Sequence, residues 1–179
     1  NSQRHVFQID MDNLNTLSSN QKEFWYNLFK NLCETKLQET VFKVFKKDLD
    51  LRMYNLTEFE KTKIGIKNFK IVKRAEIVKD FKKYYLGAHT DNPKKFITFL
   101  FYLPKDNSIE KLGTSIYECK EGVDAMDFQI HVSGEDTKKY FNKVKTCKFS
   151  PNSLLIFPRT NNTFHGVDEV NENSSERDL

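Results

Sequence analysis

The chain contains four histidines, His5, His89, His131 and His165. His89-Thr90-Asp91 sets an imidazole and a carboxylate two residues apart, and on an extended strand such residues project from one face. Side by side they suit one divalent cation. The spacing alone is weak: with 25 acidic positions among 179, four histidines give about an even chance of one such match. His165 strengthens it. It stands in Thr163-Phe-His-Gly-Val167, after the apolar run Ser153-Leu-Leu-Ile-Phe157 and a polar turn, so antiparallel strands can return it to the first pair. Two histidines and one carboxylate form the 2-His-1-carboxylate donor set of non-haem Fe(II) oxygen chemistry. Such a set leaves adjacent positions open for a bidentate cosubstrate and dioxygen together. Zinc hydrolysis accepts similar donors but calls for a nearby general base, and the sequence has no His-Glu-x-x-His signature for one. His131 reads either as a residue lining the mouth of a site or as an ordinary exposed histidine. His5 has no supporting context.

The elements that must position these residues fall into two parts. The first third reads as helical. Asn20 followed by Glu23 resembles a capping box. Behind it Phe24, Leu28 and Leu32 form one stripe, and Trp25, Phe29 and Cys33 its neighbour. A second stripe of Val41, Phe42, Phe45 and Leu49 predicts another helix ending near Asp50. Aromatic residues at helical spacing predict packing faces. From about Lys61 the pattern changes to short strands, over 64–72, 75–78, 84–88, 96–103, 113–117, 143–149, 153–157 and 163–167. Turn signals such as Asn92-Pro93 and Ser150-Pro151-Asn152 separate several of them. Helices first and many short strands afterwards predict an α+β fold, a barrel or double-sheet jelly roll behind a helical buttress. Residues 120–139, acidic and with two glycines, read as a long loop or insertion of the kind that often forms a lid.

Composition removes other classes. A chain of 179 residues, 38% hydrophobic and 30% charged, can bury ~70% of its unfolded surface as one domain. Its Leu, Ile, Val and Phe content is too high for a disordered chain. No apolar run approaches the ~20 residues of a membrane span. Three cysteines without a CxxC pair argue against a disulfide framework or structural zinc. With no signal peptide in view, they read as reduced thiols of a cytoplasmic protein. The net charge of +4 hides two opposed regions. Nine basic residues lie between Lys61 and Lys83, against Glu76 and Asp80, whereas 166–179 holds five acidic residues and one Arg. Alternating lysines fit the wet face of strands. A substrate-guiding surface is the other reading.

The run His89-Thr-Asp-Asn-Pro-Lys-Lys-Phe-Ile-Thr-Phe-Leu-Phe-Tyr-Leu-Pro-Lys-Asp106, then Leu112-Gly-Thr-Ser-Ile-Tyr117, then Lys148-Phe-Ser-Pro-Asn-Ser-Leu-Leu-Ile-Phe157, resembles the 2-oxoglutarate and Fe(II)-dependent dioxygenases, in particular their prolyl-hydroxylase-like branch. The resemblance covers roughly residues 74–179; the helical third carries no motif of the family. It implies a double-stranded β-helix, a distorted jelly roll, buttressed by the N-terminal helices. It implies one domain over 1–179, with 1–60 as the buttress and 61–179 as the β-helix core. His89, Asp91 and His165 match the iron ligands. Tyr102 matches a strand tyrosine that bonds the distal carboxylate of 2-oxoglutarate. Its spacing agrees, since Thr98, Leu100 and Tyr102 share a strand face. Arg177 matches the basic residue that grips that carboxylate, a task suited to a guanidinium fork. Its spacing from His165 is looser than the family's, and Arg159 competes for the role. Gly113 and Thr114 match a small-residue turn that lets a strand pack tightly near the site.

The activity implied is hydroxylation of an unactivated C–H bond in a peptidyl or small-molecule substrate. Fe(II), 2-oxoglutarate as cosubstrate and dioxygen would take part, succinate and CO2 would leave, and ascorbate is compatible as an auxiliary reductant. Asp91 sharpens this, because related halogenases replace the carboxylate ligand with a small residue. The alternatives are a non-enzymatic cupin-like barrel binding a metal or small ligand, and a nucleic-acid module built on the 61–83 run, which lacks a recognised binding motif. A dioxygenase acting on nucleic acid would combine patch and triad and ranks below a peptidyl or small-molecule substrate. No membrane partner is expected; substrate identity and oligomeric state stay open. Arg177 lies two residues from the end and the chain starts without Met, which reads as a trimmed sequence.

Overall fold

The computed structural model describes residues 3–33, 35–54, 72–128, 131–170 and 176–179. The expected strand over 64–72, all but its last residue, and the basic residues before Lys73 lie outside them. The chain enters as strand β1 (Arg4–Gln8) and a short helix α1 (Met11–Leu14), then α2 (Ser19–Leu32), α3 (Thr35–Val44) and α4 (Lys46–Tyr54). Strands β2 (Glu76–Asp80), β3 (Leu86–His89), β4 (Ile97–Tyr102) and β5 (Thr114–Cys119) follow. Helix α5 (Gly134–Tyr140) then leads into β6 (Phe141–Thr146), β7 (Ser153–Pro158), β8 (Phe164–Val167) and β9 (Arg177–Asp178). The fold is mixed α+β, with several antiparallel sheets that do not close into a barrel.

Among the described residues the strands form sheets of order β1-β2-β9, β3-β8-β5-β6 and β4-β7. A hydrogen bond from Leu103 N to Asp178 O, 3.1 Å, ties the end of β4 to β9. Every residue of β8 is buried, since β3 and β5 flank it on both sides. That central place accounts for its burial along its whole length, His165 included. Gly113 sits where an added Cβ would lie 1.6 Å from Cys147 O, which accounts for the small residue expected at the start of β5.

The helical third departs from expectation in three ways. The cap of α2 is Ser18, not Asn20: Gln21 Oε1 accepts from Ser18 N at 3.2 Å and from Ser18 Oγ at 2.8 Å. The second helical stretch is broken into α3 and α4, with Val41 and Leu49 buried on the two pieces. Finally, no residue of α2 is buried. Phe24 is 59% exposed and Leu28 38%, so the first stripe is not a core face. Helical periodicity shows that a face is apolar, not what covers it.

Residues 131–139, expected as part of a long loop, instead carry α5 and its cap. Ser133 caps α5 by accepting from Asp136 N at 3.0 Å. Val132 N donates to Ala88 O at 3.1 Å, and Ala88 N to Thr137 Oγ1 at 3.0 Å. Val132 joins Ala88, Tyr117, Phe141 and Phe164 in one apolar cluster. The segment is therefore clamped along β3, next to His89. The opposed charge regions also meet: β9 pairs with β2, and Lys79 Nζ lies 2.7 Å from Glu176 and 3.5 Å from Asp178. No helix among the described residues is long and apolar enough to cross a membrane. Cys33, Cys119 and Cys147 are free thiols.

Candidate metal centre

His89 ends β3 and His165 lies directly opposite on β8, with ring centroids 4.3 Å apart. A register shift between Leu86 and His89 re-aims the strand end, a common use of bulges beside sites. Asp91 follows two residues later. One potential donor atom from each of His89, Asp91 and His165 lies within 4.8 Å of the others.

The hydrogen bonds fix how these groups present themselves. His89 Nδ1 lies 3.0 Å from Gly87 O and His165 Nδ1 3.1 Å from Thr163 O. A carbonyl can only accept, so each Nδ1 carries the proton and each Nε2 keeps its lone pair. Burial lowers the His89 pKa, and burial together with the His89 charge pushes His165 down to about 4. Both rings are thus neutral near pH 7. Burial by itself would raise the Asp91 carboxyl. The Lys95 and His165 charges and the bonds from Lys95 and Thr98 outweigh it and hold the group below its ordinary value. Thr98 Oγ1 donates to Asp91 Oδ2 at 2.5 Å and Lys95 Nζ to Oδ1 at 2.7 Å. Two neutral imidazoles and a carboxylate fit a borderline divalent cation such as Fe(II).

The loop carrying Asp91 is held from behind. Arg159, 1% exposed, donates from Nε to Asp91 O at 3.0 Å and from Nη2 to Thr90 Oγ1 at 3.4 Å. Arg52 of α4 donates to Pro93 O at 2.8 Å. Neither role was visible in the sequence, where no local pattern links residue 159 or 52 to the 90–93 loop. Lys95 and Thr98 were missed as Asp91 partners, although Thr98 stands on the same strand face as Tyr102.

A second polar cluster lies deeper. Tyr102 Oη donates to Thr114 Oγ1 at 2.8 Å and accepts from Thr114 N at 3.2 Å. Arg177 donates from Nε to Leu112 O at 2.7 Å, from Nη1 to Asp80 Oδ2 at 2.6 Å and from Nη2 to Thr114 Oγ1 at 3.4 Å. Tyr102 and Arg177, separated by 75 positions, thus converge on Thr114, whereas the Arg159 guanidinium bonds the Asp91 loop and Asn161 Oδ1. Thr114 pairs with Val167 and Ile116 with His165. The cluster is therefore one pleat repeat, ~7 Å, along the strand from the position facing the metal histidine. His131 is exposed, its ring centroid 6.3 Å from that of His89, which places it beside the triad. His5 packs edge-on against Phe81, on β1. No protein-family model, curated protein or solved structure matches the chain.

Proposed function

We propose that the chain is an Fe(II)- and 2-oxoglutarate-dependent dioxygenase that hydroxylates an unactivated C–H bond of a peptidyl or small-molecule substrate. One observation carries the reading: three neutral-imidazole and carboxylate donors within 4.8 Å of one another, with a Tyr–Thr–Arg cluster one pleat repeat farther along the same strand pair. That interval suits a five-carbon diacid chelated at one end and gripped at the other. The sheet order supports a double-stranded β-helix, with β3-β8-β5-β6 as one sheet and β2, β9, β4 and β7 linked through Leu103 as the other.

His89 and His165 would offer Nε2 to the iron and Asp91 a carboxylate oxygen, with Lys95 yielding its place on Oδ1. Fe(II), if bound there, would supply the coupling of 2-oxoglutarate decarboxylation, to succinate and CO2, with transfer of one dioxygen atom into the substrate C–H bond. The Gly87 and Thr163 carbonyls keep both rings oriented, and Arg159 keeps Asp91 in reach. Arg177 would exchange its longest bond, the 3.4 Å contact with Thr114, for the distal carboxylate, and Tyr102 would turn its hydroxyl from Thr114 to the same group. Neither step calls for a protein acid or base. The saturation of Tyr102 and Arg177 by protein partners favours the alternative, a cupin-like barrel that binds a metal without oxidising anything. Anaerobic titration separates the two. A visible charge-transfer band that needs both Fe(II) and 2-oxoglutarate, followed by succinate on admitting air, supports the dioxygenase. Fe(II) binding with neither signal supports the barrel.

A further inference from the structure

The Asp91 carboxylate is shared by two donors of different kinds. Lys95 Nζ lies 2.7 Å from Oδ1 and Thr98 Oγ1 lies 2.5 Å from Oδ2, so each oxygen has a partner from the chain itself. The Asp91 side chain is 10% exposed, the Lys95 side chain 53%. The backbone around them is bonded at both ends of the loop. Arg159 Nε donates to Asp91 O at 3.0 Å. Lys95 N donates to Asn92 O at 2.8 Å, and Lys94 N to Asn92 Oδ1 at 2.9 Å. That turn fixes where the Lys95 stem starts. The half-exposed stem itself is the part of the arrangement with room to move.

The two donors respond differently to a metal. Thr98 is neutral and stands on β4, opposite Phe157 of β7. A hydroxyl on one carboxylate oxygen is compatible with a metal on the other, and helps to orient it. An ammonium is not. Two cations on one oxygen repel at contact range, and a buried carboxylate offers little water to screen them. A half-exposed ion pair is also weak, because water readily replaces one partner. A divalent cation, which gains His89 and His165 as well as Asp91, can therefore take Oδ1 from Lys95. The ammonium then stays near the mouth, tethered by the 92–95 turn.

We propose that Lys95 is an affinity-determining residue of the metal centre: it is an internal competitor that a divalent cation must displace from Asp91 Oδ1. Metal loading is then an exchange of cations on one carboxylate, and the affinity lies below what the three donors alone would give. This rests on the metal-binding part of the reading above, not on its oxygen chemistry.

The test is Mn(II) titration, followed by electron paramagnetic resonance, of chelator-treated wild type, K95Q, K95R and K94Q. Labelling of lysines with an amine-reactive reagent is the second readout. K95Q is expected to bind Mn(II) about tenfold more tightly than wild type, and K95R, which keeps a cation within reach of Asp91, no more tightly than wild type. Lys94 is an exposed neighbour, so K94Q is expected to change the affinity by less than about twofold. In wild type, saturation with Mn(II) should raise the labelling of Lys95 by about threefold or more and leave Lys94 unchanged. A gain below about threefold in K95Q, an equal gain in K94Q, or Lys95 labelling that ignores the metal overturns the proposal. If wild type retains neither Mn(II) nor Fe(II), the metal-centre reading falls and this inference with it. Fe(II) binding without the charge-transfer band overturns the dioxygenase alone.

Discussion

The sheet that holds the candidate metal centre and the helix α2 are built on opposite terms. Around Asp91, Thr98, Lys95, Arg159 and Arg52 all reach one short loop, and β8 is buried along its length. Helix α2 is longer than any strand yet buries no residue, and its Phe24 and Leu28 face outward. Apolar content is therefore a poor guide to where this molecule is held rigid. Convergent polar bonds from distant segments are a better one, because each fixes a direction as well as a distance.

The sharpest break of this contrast is removal of a donor. His89→Ala, Asp91→Ala or His165→Ala should abolish both Fe(II) retention after desalting and 2-oxoglutarate-dependent succinate formation, whereas Phe24→Ala should change neither by more than about twofold. Next is Arg177→Ala, which should weaken 2-oxoglutarate by about a hundredfold with Fe(II) retention kept. An unchanged affinity would move the anchor to Arg159.

Acid comes third, and acts on the metal-free protein. The His165 pKa in the folded state is about 4, below the ~6.5 of an unfolded histidine. Between those values the unfolded chain takes up a proton that the folded one excludes. The contribution is complete above ~6.5 and is lost as pH falls toward 4, on the order of 2–3 kcal/mol. Urea midpoints of metal-free protein should drop over that window, and His165→Gln should remove part of the drop. A flat profile in wild type would contradict the burial of a neutral ring.

Two smaller effects separate the supports of the loop. Arg159→Gln should lower Fe(II) affinity about tenfold, since it frees the Asp91 carbonyl. Arg52→Ala should cost about 1–2 kcal/mol in urea unfolding and leave Fe(II) affinity nearly unchanged, because Pro93 lies past the ligand. If Arg52→Ala loosens the metal as much as Arg159→Gln does, the helices are part of the centre and the contrast with α2 narrows to one helix.

Much of the site was legible because its signals are local. The His-x-Asp spacing, the strand face shared by Thr98 and Tyr102, and the turns at 92–93 and 150–152 lie within a few residues of what they specify. Strands β2 to β8 fall close to their expected ranges for the same reason. What escaped depends on partners far away. Strand β1 is short and is a strand only because residues 76–80 pair with it. Helix α5, Gly-Glu-Asp-Thr-Lys-Lys-Tyr, has no apolar stripe and is held by Ser133 and by Thr137 against β3. The Asp80 carboxylate gives no local sign that it meets Arg4 and Arg177.

The row in which Arg4 and Arg177 both bond the buried Asp80 carboxylate imposes an order in time. Its two links span 76 and 97 positions, so a chain emerging from the ribosome offers Arg4 to Asp80 long before Arg177 exists. A buried carboxylate with no partner is costly. Arg4 supplies that partner from the first moment β2 pairs with β1, and Arg177 completes the row only when β9 arrives. His89, Asp91 and His165 also precede Arg177 in synthesis, so the candidate metal donors are all in the chain before the row is complete.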